Sequence, residues 1–132
     1  FVFITNDKCM RIQLPSGRTL TYWKARLAPN RYGRSAIQYM WADTITRKWT
    51  WVDTYGGKIA ENVTQAVAND LLRYSLKHLN NVVLHVHDEI VVESDEPEIA
   101  REAMVRVMTT PPDWAVGLPL AVEANIMGRY GK

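Results

Sequence analysis

Four side chains able to bind a metal ion or move a proton, His85, His87, Asp88 and Glu89, crowd into the segment VVLHVHDEIVVE at residues 82–93. Apolar, largely β-branched runs flank them, Val82-Val83-Leu84 before and Ile90-Val91-Val92 after, and these read as two buried strands. Asp and Glu are poor strand residues, and burying adjacent ionised carboxylates without partners is prohibitively unfavourable. A hairpin resolves the conflict. Its tight turn falls near Asp88-Glu89, so the strands anchor in the core while the turn presents carboxylates to a cleft, an arrangement that suits a metal ion. A different reading follows from strand periodicity. Were residues 85–89 fully extended, His85, His87 and Glu89 would share one face as a two-His, one-carboxylate transition-metal site, with Asp88 directed elsewhere.

A second group precedes the first. Lys58, Asn62, Gln65 and Asn69 are spaced four, three and four apart, which aligns them on one face of a helix opposite the apolar stripe Ile59, Val63, Ala66-Val67, Leu71 and Tyr74. Such a face is ordinarily just solvated. Its amides can also reach the minor-groove acceptors that every base pair shares, a contact suited to a protein that must accept any sequence yet notice a mispair.

The elements that would position these groups are legible in outline. Residues 10–23 alternate around the turn Pro15-Ser16-Gly17, and Ala36–Ala42 and Lys48–Asp53 flank the polar turn at residues 43–47, which gives two β-hairpins. A basic loop at residues 28–35 joins them. Gly56-Gly57 opens a helix from about Lys58 to Leu79. Beyond the hairpin at residues 82–93, Ser94 or Asp95 can cap a helix running to about Met108, with Pro97 early and Pro111-Pro112 beyond its end. Leu118 to Ile126 is a candidate closing strand. The fold class is therefore α+β: antiparallel hairpins packed with two main helices. It forms one domain over residues 1–132, β-rich in residues 1–53 and mixed in residues 54–132.

Composition narrows the function classes. With 132 residues, 47% of them hydrophobic, the chain can bury a core as one domain. No apolar run approaches the roughly 18 residues needed to cross a bilayer, and no signal peptide is evident, so no membrane association is expected. The single Cys9 points to a reduced, cytoplasmic setting. The first residue is Phe rather than Met, which suggests a piece of something longer. Charge is uneven: residues 1–58 hold ten Lys/Arg against three Asp/Glu, and residues 59–132 hold six against eleven. A basic half can follow phosphates and an acidic half can hold divalent cations. A non-catalytic nucleic-acid-binding module is a further reading of the basic half, with Tyr22, Trp23, Tyr32, Tyr39 and Trp41 as stacking candidates.

Val86-His87-Asp88-Glu89 in its strand context resembles motif C of the family A (DNA polymerase I type) DNA polymerases. TYGGKIAENVTQAVANDLL at residues 54–72, PPDW and GLPL between Pro111 and Leu120, and more loosely LPSGRTLTYW at residues 14–23 resemble the phage-encoded branch of that family. The resemblance implies the palm portion of a DNA-directed DNA polymerase acting on primer-template DNA and deoxynucleoside triphosphates. It makes Asp88 a ligand of a two-Mg²⁺ catalytic site, Glu89 a weaker or outer ligand, and His87 a contact to the primer terminus. Gln65, Asn62 and Lys58 become primer-template contacts, although the bacterial members carry the Asn four residues before the Gln, where this chain has Glu61. Motifs A and B of the family are not recognisable, so the second metal-binding aspartate and the nucleotide-gripping helix are missing. The isolated chain is expected to be inactive, and apolar surface left uncovered could drive self-association.

Overall fold

The computed structural model describes residues 1–131, and it is mixed α+β, with seven strands in two antiparallel sheets and two α-helices. The residues group into two compact units, Phe1–Val67 and Ala68–Lys132, whereas the sequence by itself reads as one domain.

The first unit is a five-stranded antiparallel meander in which spatial order follows chain order: β1 (Val2–Thr5), β2 (Cys9–Gln13), β3 (Thr19–Pro29), β4 (Ser35–Ala42) and β5 (Trp49–Thr54). Both expected hairpins form. β1 is an addition to the sequence reading, and β3 extends into the stretch read as loop. Short polar side chains close the turns, as their own backbone hydrogen bonding predisposes them to do. Asn6 Oδ1 accepts from the Lys8 and Cys9 amides at 2.9 and 3.0 Å. Asn30 Oδ1 accepts from the amides of Tyr32 and Arg34. Asp43 Oδ1 accepts from the Thr46 amide, the Thr46 hydroxyl and the Ile45 amide, and these donors hold its carboxyl below the usual carboxylate range, the Thr46 amide first among them.

Residues paired across an antiparallel ladder share a face of the sheet. Ile12↔Leu20 and Met10↔Tyr22 place Ile12 and Tyr22 together, both buried. Tyr22 meets Tyr39 edge-to-face at 5.0 Å between ring centroids. Burial, and next the neighbouring Tyr22, push the Tyr39 phenol up, while the Lys58 ammonium opposes them. The first half of helix α1 (Gly56–His78) is tied to this face. Asn62 Nδ2 donates to the Tyr22 hydroxyl at 3.1 Å, and Arg18 Nη2 donates to the Ala66 carbonyl at 2.9 Å. At the end of β5 the Thr54 hydroxyl is buried without a hydrogen-bond partner among the described residues. Thr54→Val removes that orphan at nearly equal volume, and is expected to raise stability by about 1 kcal/mol. The measurement is the urea midpoint at unchanged slope. A lower midpoint would show the hydroxyl to be satisfied.

The second unit holds the rest of α1, the hairpin β6 (Val82–Val86) and β7 (Glu89–Val92), helix α2 (Pro97–Thr109) and a 3₁₀ turn at Asp113–Ala115. Leu72, Ile90 and Pro112 are buried apolar residues of this unit. Contrary to the expectation of two buried strands, Val83, Leu84 and Val86 on β6 are exposed. Two further expectations fail. Pro97 does open α2, but Glu96 takes the N-cap position without a side-chain cap, and Ser94 Oγ accepts the Glu96 amide ahead of the helix. Residues 118–126 form no strand: Pro119 lacks a ladder donor, and β6 and β7 pair only with each other.

Candidate functional site

The β6–β7 register pairs Val86 with Glu89 and His85 with Ile90, so the loop is two residues long and consists of His87 and Asp88. The turn therefore sits one residue earlier than expected, and Glu89 is the first residue of β7 rather than part of the turn. His87 has φ 53, a left-handed conformation that His tolerates better than bulkier residues do. Two-residue hairpins need positive φ at a central position to match the strand twist, and here His87 supplies it. Asp88 stands beside it at the tip, and both Asp88 and Glu89 are exposed. The carboxylates thus escape the desolvation that a buried pair would suffer.

This register also decides against the transition-metal triad. Paired residues share a face, so His85 lies with Ile90 on one side of the hairpin and Glu89 with Val86 on the other, while His87 sits in the turn. The extended geometry that would align His85, His87 and Glu89 is absent. Among the described residues, no three His, Cys, Asp or Glu side chains gather as a group able to hold a metal ion. Asp88 and Glu89 supply only hard oxygen donors, the chemistry Mg²⁺ takes.

Tyr130, which the sequence reading passed over, enters here. Its hydroxyl donates to Glu89 Oε2 at 3.1 Å, fixing one carboxylate oxygen of the pair. A contact between residues 41 apart has no local sequence signal.

The helix stripe is only partly as expected. Lys58, Gln65 and Asn69 are exposed on α1, but Asn62 is half-buried and its amide is committed to Tyr22. Position 62 lies one turn before the buried Ala66, so it borders the packed face instead of opposing it. Glu61 organises the exposed part. Lys58 Nζ pairs with Glu61 Oε2 at 2.9 Å, and Gln65 Nε2 donates to Glu61 Oε1 at 3.3 Å. The hydrogen bond from Lys58 to Glu61, and then the carboxylate's charge, raise the lysine pKa. The i,i+3 and i,i+4 spacing makes this cluster readable from sequence. The stripe residues Lys58, Asn62 and Gln65 belong to the first unit, and the His87-Asp88 turn to the second.

No protein-family model and no solved structure matches the chain. Among curated proteins it is similar to the DNA polymerase of Bacillus phage SP02, 36% identical over 135 residues. The match takes in 98% of this chain and 21% of the relative, so the chain spans about a fifth of the length of the polymerase it resembles.

Proposed function

We propose that this chain is part of a phage-type, family A DNA-directed DNA polymerase, in which the β6–β7 hairpin is the motif C element of the palm. The observation that carries the reading is the two-residue turn that exposes Asp88 beside Glu89, in a chain similar over nearly its whole length to a phage DNA polymerase. The substrates are a primer-template duplex and deoxynucleoside triphosphates, in a cytoplasmic setting. Asp88 and Glu89 would help to hold two Mg²⁺ ions, which would supply charge to activate a primer 3′-hydroxyl and steady the leaving pyrophosphate.

The residues of this chain have separable tasks. Asp88 offers its carboxylate to the cations, and its place at a hairpin tip restricts its orientation. Glu89 contributes a neighbouring carboxylate, steadied by the Tyr130 hydroxyl. His87, held at positive φ by the turn, presents its ring toward the primer terminus. Exposed Gln65 and Lys58 contact the duplex, and Asn62 acts chiefly by anchoring α1 to Tyr22. A second aspartate is supplied from outside this chain, and the 132 residues alone incorporate no nucleotides.

The test is primer extension by the longer polymerase carrying this segment, with Asp88 intact or replaced. Gln65→Ala in the same protein is expected to weaken primer-template affinity or mispair discrimination by one hydrogen bond, about 0.5–1.5 kcal/mol. Titration with matched and mismatched termini measures it. Identical behaviour on both would leave Gln65 an ordinary solvated side chain.

A further inference from the structure

The meander has a second face, opposite the one tied to α1, and it carries an ordered cationic and aromatic surface. The registers Met40↔Trp51 and Ala42↔Trp49 place Trp49 and Trp51 on it, and Trp23↔Met40 adds Trp23. All three indoles are exposed, at 44% for Trp23, 60% for Trp49 and 39% for Trp51. A bulge in β3 brings in the cation. The ladder pairs Trp23 with Met40 but Arg26 with Gln38, so one extra residue on β3 puts Arg26 on this face where an unbroken strand would put Ala25.

Arg26 is held in place. Its guanidinium lies 3.5 Å over the Trp51 ring centroid. Its Nε and Nη2 both donate to Gln38 Oε1, at 3.2 and 3.0 Å, and Gln38 Nε2 donates to Asp53 Oδ1 at 2.8 Å. The result is a planar cation held over an indole, on a face that carries two further exposed indoles.

We propose that this open face binds single-stranded nucleic acid, with bases stacking on Trp23, Trp49 and the Arg26 plane and phosphates drawn by the basic excess of residues 1–58. Bases stack on both aromatic rings and guanidinium planes, and an aromatic sheet of this kind serves two or three bases. Charge distinguishes this occupant from a covering protein segment. The one carboxylate of this cluster, Asp53, is engaged by the Gln38 amide, and residues 1–58 carry ten Lys/Arg against three Asp/Glu, an excess that the phosphates of a strand complement. The proposal stands apart from the polymerase reading, because binding at this face needs no catalytic carboxylate.

The experiment is fluorescence anisotropy of a labelled oligothymidylate with the 132-residue chain and with the longer polymerase, over a salt series. Circular dichroism checks that each variant folds. Trp49→Ala is expected to weaken binding about 5- to 150-fold with an unchanged salt slope, since a stacked base and no phosphate contact is lost. Arg26→Lys keeps the charge but loses the plane and the fork, and should also weaken binding. Trp114→Ala, outside the sheet, should not. Affinity indifferent to both Trp49→Ala and Arg26→Lys overturns the proposal. So does failure of acrylamide to quench Trp23, Trp49 and Trp51 in the longer protein, which would mean that protein covers the face.

Discussion

Replacing Asp88 by Ala in the longer polymerase is expected to abolish nucleotide addition while leaving primer-template binding nearly intact. The size of the loss follows from comparison with weaker perturbations of metal sites. Removing a partner that merely orients a ligand typically costs about 10–100-fold in affinity or activity, and Asp88 is proposed as a ligand itself, so its loss should exceed that range. Glu89 is the adjacent carboxylate, but it leaves the turn as the first residue of β7, on the face of Val86, and its Oε2 is bonded to Tyr130. Duplex binding should survive, because it depends on cationic and amide side chains elsewhere and Asp88 is exposed at a hairpin tip, where truncation disturbs no packing. Single-turnover primer extension in Mg²⁺, alongside duplex titration, measures the two effects separately. Near-normal extension by Asp88→Ala would remove the motif C assignment.

The parts of this molecule that were legible from sequence are those governed by local rules. Both hairpins of the meander follow from period-2 alternation around Pro, Gly and Asp turns, and α1 follows from its apolar spacing and the Gly56-Gly57 break. The errors fall where long-range register decides. Strand propensity puts the turn at Asp88-Glu89 because both residues disfavour strands, yet pairing Val86 with Glu89 places the turn one residue earlier and lets His87 take the left-handed conformation. Asn62 continues a polar spacing that predicts a solvent-facing side chain, but the Tyr22 hydroxyl, 40 positions away, draws its amide inward. Of the stacking candidates, Trp23 lies on the open face with Arg26 and others do not. Tyr22 and Tyr39 lie on the face tied to α1, and Trp49 and Trp51, which share the open face with Arg26, carry no local signal that separates them from core aromatics. A bulge at residues 23–26 is invisible to alternation, since it shifts the pattern it interrupts.

The largest stability effect is expected at Ile12. The first unit buries few apolar side chains, namely Cys9, Ile12, Leu14, Tyr22 and Ala66, and of these only Ile12 is wholly inaccessible, at 0% exposure. Ile12→Ala deletes three carbons from a site flanked by the β1 and β3 partners Phe3 and Leu20. Strands fixed by ladder hydrogen bonds on both sides cannot close in on the void, so a cavity contribution adds to the lost transfer free energy. Truncations of this kind cost about 2–5 kcal/mol, a large share of the roughly 5–15 kcal/mol by which a typical domain is stable. Ile4→Ala provides the contrast. It removes the same atoms from a side chain 48% exposed on the edge strand, where surface substitutions usually stay within about 0.5 kcal/mol. Urea unfolding of both variants reads the difference directly. Equal, small shifts would mean that the meander is not held by the face that packs Ile12 and Tyr22, and that the attachment of Asn62 and Arg18 to that face carries no structural weight.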